Sequence, residues 1–144
     1  MTAPRREERG SITPLVIGFA FVVAVLVAVV VDASAAYLRR QGLDSVADAA
    51  ALAATDGLQG DRVYTSGLGD HAEIDPAAAR RYIEDYLRTT GATARYPGLA
   101  WTVTSTGDTV VVRLSAPLRL PLHVPGVGDD AVVTATAASV VVVG

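Results

Sequence analysis

The chain has 144 residues, room for one small domain and an appendage, and its 15 acidic and 12 basic side chains leave a net charge of −3. It contains no cysteine, which excludes disulfides and thiolate metal sites. Every basic residue is arginine, and the clusters Arg5-Arg6-Arg9, Arg39-Arg40 and Arg80-Arg81 are short and either acid-flanked or helical, so no nucleic-acid surface is expected.

The first element is an apolar run, Leu15 to Val31, without a charged residue. At 1.5 Å per residue it makes a helix of about 25 Å, and Ile12–Pro14 with Ala33–Leu38 extend it to a hydrocarbon core of about 30 Å. Pro14 suits the first turn, with Ser11 or Thr13 as the cap before it. Valine alone leans towards strand, but in lipid the backbone must satisfy its own hydrogen bonds, and helix wins. Arg5, Arg6 and Arg9 place the preceding end in the cytoplasm; Arg39 and Arg40 oppose this but are fewer and further from the core. The expectation is a single-pass cell-membrane protein, N-terminus cytoplasmic and C-terminal domain outside.

Two readings of this run stay open. One is a retained anchor. The other is a signal peptide with Ala33-Ser34-Ala35 as its cleavage site, releasing a secreted small binding domain after Ala35. The run is longer than the usual h-region of about 7–15 residues, and the cleavage region lies inside a helix-forming stretch; both favour the anchor.

From Ala33 to Asp56 the only helix breaker is Gly42, at a cost of about 1 kcal/mol in a helix interior. Leu43, Val46, Ala47, Ala50, Ala53 and Ala54 recur at three- and four-residue steps and form one apolar face. Arg40, Asp44 and Asp48 lie four apart on another, where Arg40 and Asp44 can pair. The apolar face is mostly alanine, so a second helix or a sheet can come close. A membrane helix therefore continues as an amphipathic stalk, and the chain divides into a basic cytoplasmic segment (1–10), a transmembrane helix and stalk (11–58) and an outer domain (59–144). Asp32 and Asp48 are the candidate boundary and assembly residues. Asp32 either marks the outer edge of the membrane or makes a contact between subunits, since ionisable groups at membrane depth are often functional.

Arg9-Gly10-Ser11, the apolar run, Val31-Asp32, Arg40-Gln41-Gly42-Leu43 and the block Ala47-Asp48-Ala49-Ala50-Ala51-Leu52-Ala53-Ala54 together resemble the N-terminal region of TadG-like and TadE-like proteins over residues 9–58. These are pilin-like membrane proteins of the tight-adherence (Flp-type) pilus and secretion machinery. The resemblance implies an accessory subunit working by helix packing among membrane lipid and other pilus-assembly or pilin-like subunits, with no enzyme activity, cofactor or small-molecule substrate. Processing in such proteins follows a glycine at the edge of the apolar run, which makes Gly10 and Ser11 the candidate processing residues beside Ala35 of the signal-peptide reading. Leu15 stands where a glutamate is common, and Pro14 precedes it, which points to an accessory rather than a major pilin.

Beyond the stalk, Gly57 to Asp75 reads as a loop. Asp75 caps a helix with Pro76 at its first position, Ala79, Tyr82, Ile83, Tyr86 and Leu87 share a face, and Gly91 ends it. Leu99–Ser105 and Thr109–Ala116 form a hairpin about Thr106-Gly107-Asp108. Leu118–Val124 is held to an edge or a loop by Pro117, Pro121 and Pro125, and Val132–Val143 reads as a covered central strand. The fold class is α+β with an antiparallel sheet, its core being Trp101 and the tyrosines at 82, 86 and 96 where helix meets sheet.

Catalytic chemistry is thin. Asp70-His71-Ala72-Glu73-Ile74-Asp75 holds four side chains able to ligate a metal, but without a recognised spacing. His123 has no paired acid or nucleophile near it in sequence. Gly67-Leu68-Gly69 and Gly126-Val127-Gly128 lack the strand-to-helix context of a phosphate cradle, and Glu84-Asp85 are adjacent on a helix and point apart. A solvated loop, an edge histidine, two turns and a charged helix face are the expectations.

Overall fold

The computed structural model describes residues 12–65, 74–121 and 131–141, with side chains in the first stretch as far as Asp61. The order is α1 (Thr13–Thr65), α2 (Pro76–Thr89), α3 (Ala92–Arg95), β1 (Ala100–Thr106), β2 (Thr109–Pro117) and β3 (Val132–Val140), an α+β arrangement.

α1 runs unbroken for 53 residues, about 80 Å at helical rise. The large apolar side chains of its first half are unburied: Leu15, Phe19, Phe21 and Val30 are all exposed. Its second half is the spine of the outer domain. Leu43, Ala47, Ala50, Ala51, Ala54 and Leu58 are buried at steps of one, three and four, and they share one core with α2 and the sheet. The alanines set how close those elements lie.

The helix runs further than the residues alone suggested. Gly57 to Thr65 is helix, not the start of a loop. Leu58 is buried in the core, and Asp61 accepts a hydrogen bond from the Tyr82 hydroxyl at 2.6 Å, so tertiary contacts hold a segment whose glycines favour a loop. Gly42 is equally at home, because the Tyr96 hydroxyl occupies the space a Cβ would need there.

α2 starts as expected: Asp75 Oδ1 accepts from the Ala77 amide at 2.8 Å and Pro76 follows. Ala78, Ala79, Ile83 and Leu87 face the core, and Gly91 follows the helix end with φ of 67°. The short α3, which periodicity did not reveal, carries the chain to Tyr96 and buries it against α1.

The sheet is antiparallel, in the order β1-β2-β3. Thr106 pairs with Thr109 across a two-residue loop in which Gly107 supplies the positive φ of 61°. Val110, Val112 and Leu114 make β2 the buried central strand. Among the described residues β3 is therefore at an edge, which corrects the reading of Val132–Val143 as central. α1 covers one face of it, over Val133, Ala135 and Ala137, while Thr134, Thr136 and Ala138 face outward. Its valines at both ends, Val132 and Val140, are exposed. Leu118–Pro121 is not strand, and the Leu118 amide donates to the Ala131 carbonyl at 2.7 Å. Tyr96 is buried, whereas Tyr82, Tyr86 and Trp101 are half-buried against the core, with the Arg80 guanidinium 5.1 Å from the centre of the Trp101 ring.

Candidate assembly surface

The surface that distinguishes this chain is the unburied side of α1. An 18-residue window of the helix is apolar enough to cross a membrane, and none of that window is buried. Such a face in water would be an aggregation liability, so its natural surroundings are lipid or other helices.

Past the apolar window the helix has two sides. One carries the core. The other presents Tyr37, Leu38, Gln41, Ser45, Asp48, Leu52 and Asp56 to solvent. Leu38 at 65% and Leu52 at 55% exposure are large apolar side chains with no counterpart in the fold. Arg40 makes no ion pair with Asp44, contrary to the pairing their spacing allowed.

The candidate residues fall in different settings. Asp32 is 9% exposed although Val31 and Ala33 on either side are exposed, so the chain itself covers it. Asp48 is exposed on the outer side of α1. Ala35 is half-buried within the helix, with its neighbour Ser34 donating its hydroxyl to the Val30 carbonyl at 2.8 Å. Gly10 and Ser11 lie outside the described residues, as do Asp70–Glu73 and His123. Asp75, the last of that acidic stretch, is occupied as a helix cap. Among the described residues no three His, Cys, Asp or Glu side chains gather to hold a metal.

Arg39 was missed as a contact residue, and Tyr82, expected in the core, was not expected to bond to α1. The Arg39 guanidinium lies over the Tyr96 ring, 5.3 Å from its centre. Its buried Nε and one terminal nitrogen find no acceptor among the described residues, so the ring face is their compensation. The Tyr82 phenol is held above its ordinary pKa, chiefly because its proton is bonded to the Asp61 carboxylate. The signal for both was three-dimensional: glycine in α1 opposite an aromatic ring.

Residues 10–63 match the Tad family. Its description is "Putative Flp pilus-assembly TadE/G-like". The Tad match begins just before α1 and ends near its last turn, and so follows this one helix, apolar half and stalk together, while α2, α3 and the sheet lie beyond it. No curated protein matches the chain, and no solved structure does. At its C-terminal end the Tad likeness extends slightly further than the resemblance seen over residues 9–58, into the turn where Asp61 meets Tyr82.

Proposed function

We propose that the chain is a single-pass, N-in accessory subunit of a Flp-type pilus or secretion assembly, acting by helix packing and protein–protein contacts. The observation that carries this is the coincidence of the Tad match with an unbroken helix whose apolar half is entirely unburied. The basic residues Arg5, Arg6 and Arg9 support the orientation. The boundaries 1–10, 11–58 and 59–144 then correspond to cytoplasmic segment, anchor with stalk, and outer domain, although the stalk and the outer domain share one core. Asp32, covered by its own chain, marks the outer boundary. Asp48 belongs to the stalk side that a neighbouring subunit would meet, flanked by Ser45 and Leu52 at three- and four-residue steps. The role is structural, with no catalytic step assigned.

The absence of cysteine makes the test direct, because each introduced thiol is the only one. Ser45→Cys in intact host cells should react with a membrane-impermeant maleimide without lysis; labelling only after lysis would reverse the orientation. A photo-crosslinker at Leu52, in the same cells, should trap a second envelope protein or a second copy. Monomer alone would count against an assembly role.

A further inference from the structure

Where α1 leaves its apolar window it meets the start of β3, and a cleft of about 520 Å³ opens between them, lined by Ala36, Tyr37, Arg40, Val132, Val133 and Thr134. Its volume falls within the range of about 300–1,000 Å³ usual for ligand clefts. We infer that it binds the phosphate headgroup of an anionic phospholipid of the outer leaflet, with Arg40 as the charge partner. This rests on the membrane-anchored reading above.

Height, charge and edge chemistry argue for it. Tyr37 and Arg40 follow Val31 by six and nine residues, about 9 and 13 Å along the helix. The headgroup layer adds about 5–7 Å on each side of the hydrocarbon core. Helical side chains lean back towards the N-terminus, so both residues lean towards the membrane, and arginine can extend its guanidinium to the phosphate level while its stem stays over apolar surface. Arg40 is exposed, and no acceptor binds it among the described residues. Its planar donor fork matches a phosphate. Tyr37 and Thr134, both hydroxyl-bearing and both exposed, share the lining. Tyr37 is 67% exposed and Val132 60%, an apolar rim beside the arginine, and tyrosine is enriched at membrane interfaces. A free phosphate ion would have no use for that apolar rim.

The test uses the full chain reconstituted in phosphatidylcholine vesicles with and without phosphatidylglycerol, then detergent extraction and native mass spectrometry of retained lipid. The wild type should retain phosphatidylglycerol several-fold above its share of the bilayer. Arg40→Gln should retain it only at that share. Arg113→Gln, an exposed arginine on the outward sheet face, should keep the preference. A preference that survives in Arg40→Gln, or is absent in the wild type, overturns the site. If excess soluble glycerol phosphate abolished the preference, the cleft would belong to a free phosphate and the lipid assignment would fall. Failure of the chain to enter either vesicle would sink the anchor reading itself, an outcome distinct from entry without selectivity.

Discussion

Gly57 and Gly60 stand three residues apart in the same helix, and the same substitution at each should have opposite effects. Alanine in place of glycine favours a helix interior by about 1 kcal/mol. At Gly60 nothing among the described residues lies within 4 Å of the added Cβ, so that gain stands alone. At Gly57 the Cβ would come within 2.5–2.6 Å of three atoms of the Tyr82 ring, closer than real contacts allow. The ring cannot yield freely, because its hydroxyl is tied to Asp61 at 2.6 Å on the same helix. Overpacking of this kind costs about 1–3 kcal/mol; with the hydroxyl tethered, the upper part of the range applies, and after the helix gain Gly57→Ala is destabilising by about 1–2 kcal/mol. For a domain of this size each kcal/mol moves Tm by about 4–8 °C. Thermal unfolding of the full chain in detergent micelles, followed by Trp101 fluorescence, should therefore show Gly57→Ala below the wild type and Gly60→Ala above it. Placed on a Tyr82→Ala background, Gly57→Ala should turn stabilising, a coupling readable as a double-mutant cycle. A Gly57→Ala variant that melts at or above the wild type refutes the claim that close approach of Tyr82 is why glycine stands there.

Leu114 is fully buried in the central strand, so Leu114→Ala should lose about 2–5 kcal/mol in the same melts, while Leu52→Ala, on the solvent side of α1, should stay within about 0.5 kcal/mol. Asp75→Ala removes the α2 cap and should cost about 0.5–2 kcal/mol, with Asp75→Ser recovering most of it. The Tyr82 phenol has its pKa raised in the folded chain by the bond to Asp61. Its contribution is therefore complete below the unfolded value of about 10 and is lost as pH rises through the folded value. In an absorbance titration, the tyrosinate step missing from Tyr82→Phe should lie above the ordinary range, and Asp61→Asn should lower it.

How far the residues announced this fold depends on whether a contact was local. The apolar window, the Asp75-Pro76 start of α2, the Thr106–Thr109 hairpin and the alanine face of the stalk all rest on spacing within one element, and all are present. The misreadings concern partners. Gly57 to Thr65 is loop-like in composition, and its helix is explained by distant contacts, Leu58 in the core and Tyr82, 25 residues beyond Gly57. Val132–Val140 has the valine content of a central strand, yet among the described strands the central place belongs to β2, which pairs on both sides. The candidate assembly residues were legible only as types: burial separates Asp32, covered by the chain, from Asp48, open to a neighbour.

The shared core bears on the choice between anchor and secreted domain in an unexpected way. The first fully buried α1 side chain is Leu43, eight residues past Ala35, so a chain cut after Ala35 would keep every core residue of the helix. Stability of the outer domain therefore cannot decide whether the apolar half is retained; a released form would fold too. What stands against the cut is local. A peptidase needs an extended backbone, and at Ala33–Ala36 it would have to open α1 between the apolar window and a stalk clamped by Arg39 on Tyr96. The mature N-terminus, read by mass spectrometry from the membrane and medium fractions of the host cell, separates the cases. A membrane-bound form starting at or before Ser11 is the expected result. Within it, a start at Ser11 itself means processing after Gly10 despite Leu15, and an earlier start means a permanent anchor. A soluble form starting at Ala36 would remove the apolar window from the mature protein and, with it, the anchored pilus-assembly role and the anchor that holds the Arg40 cleft at the membrane.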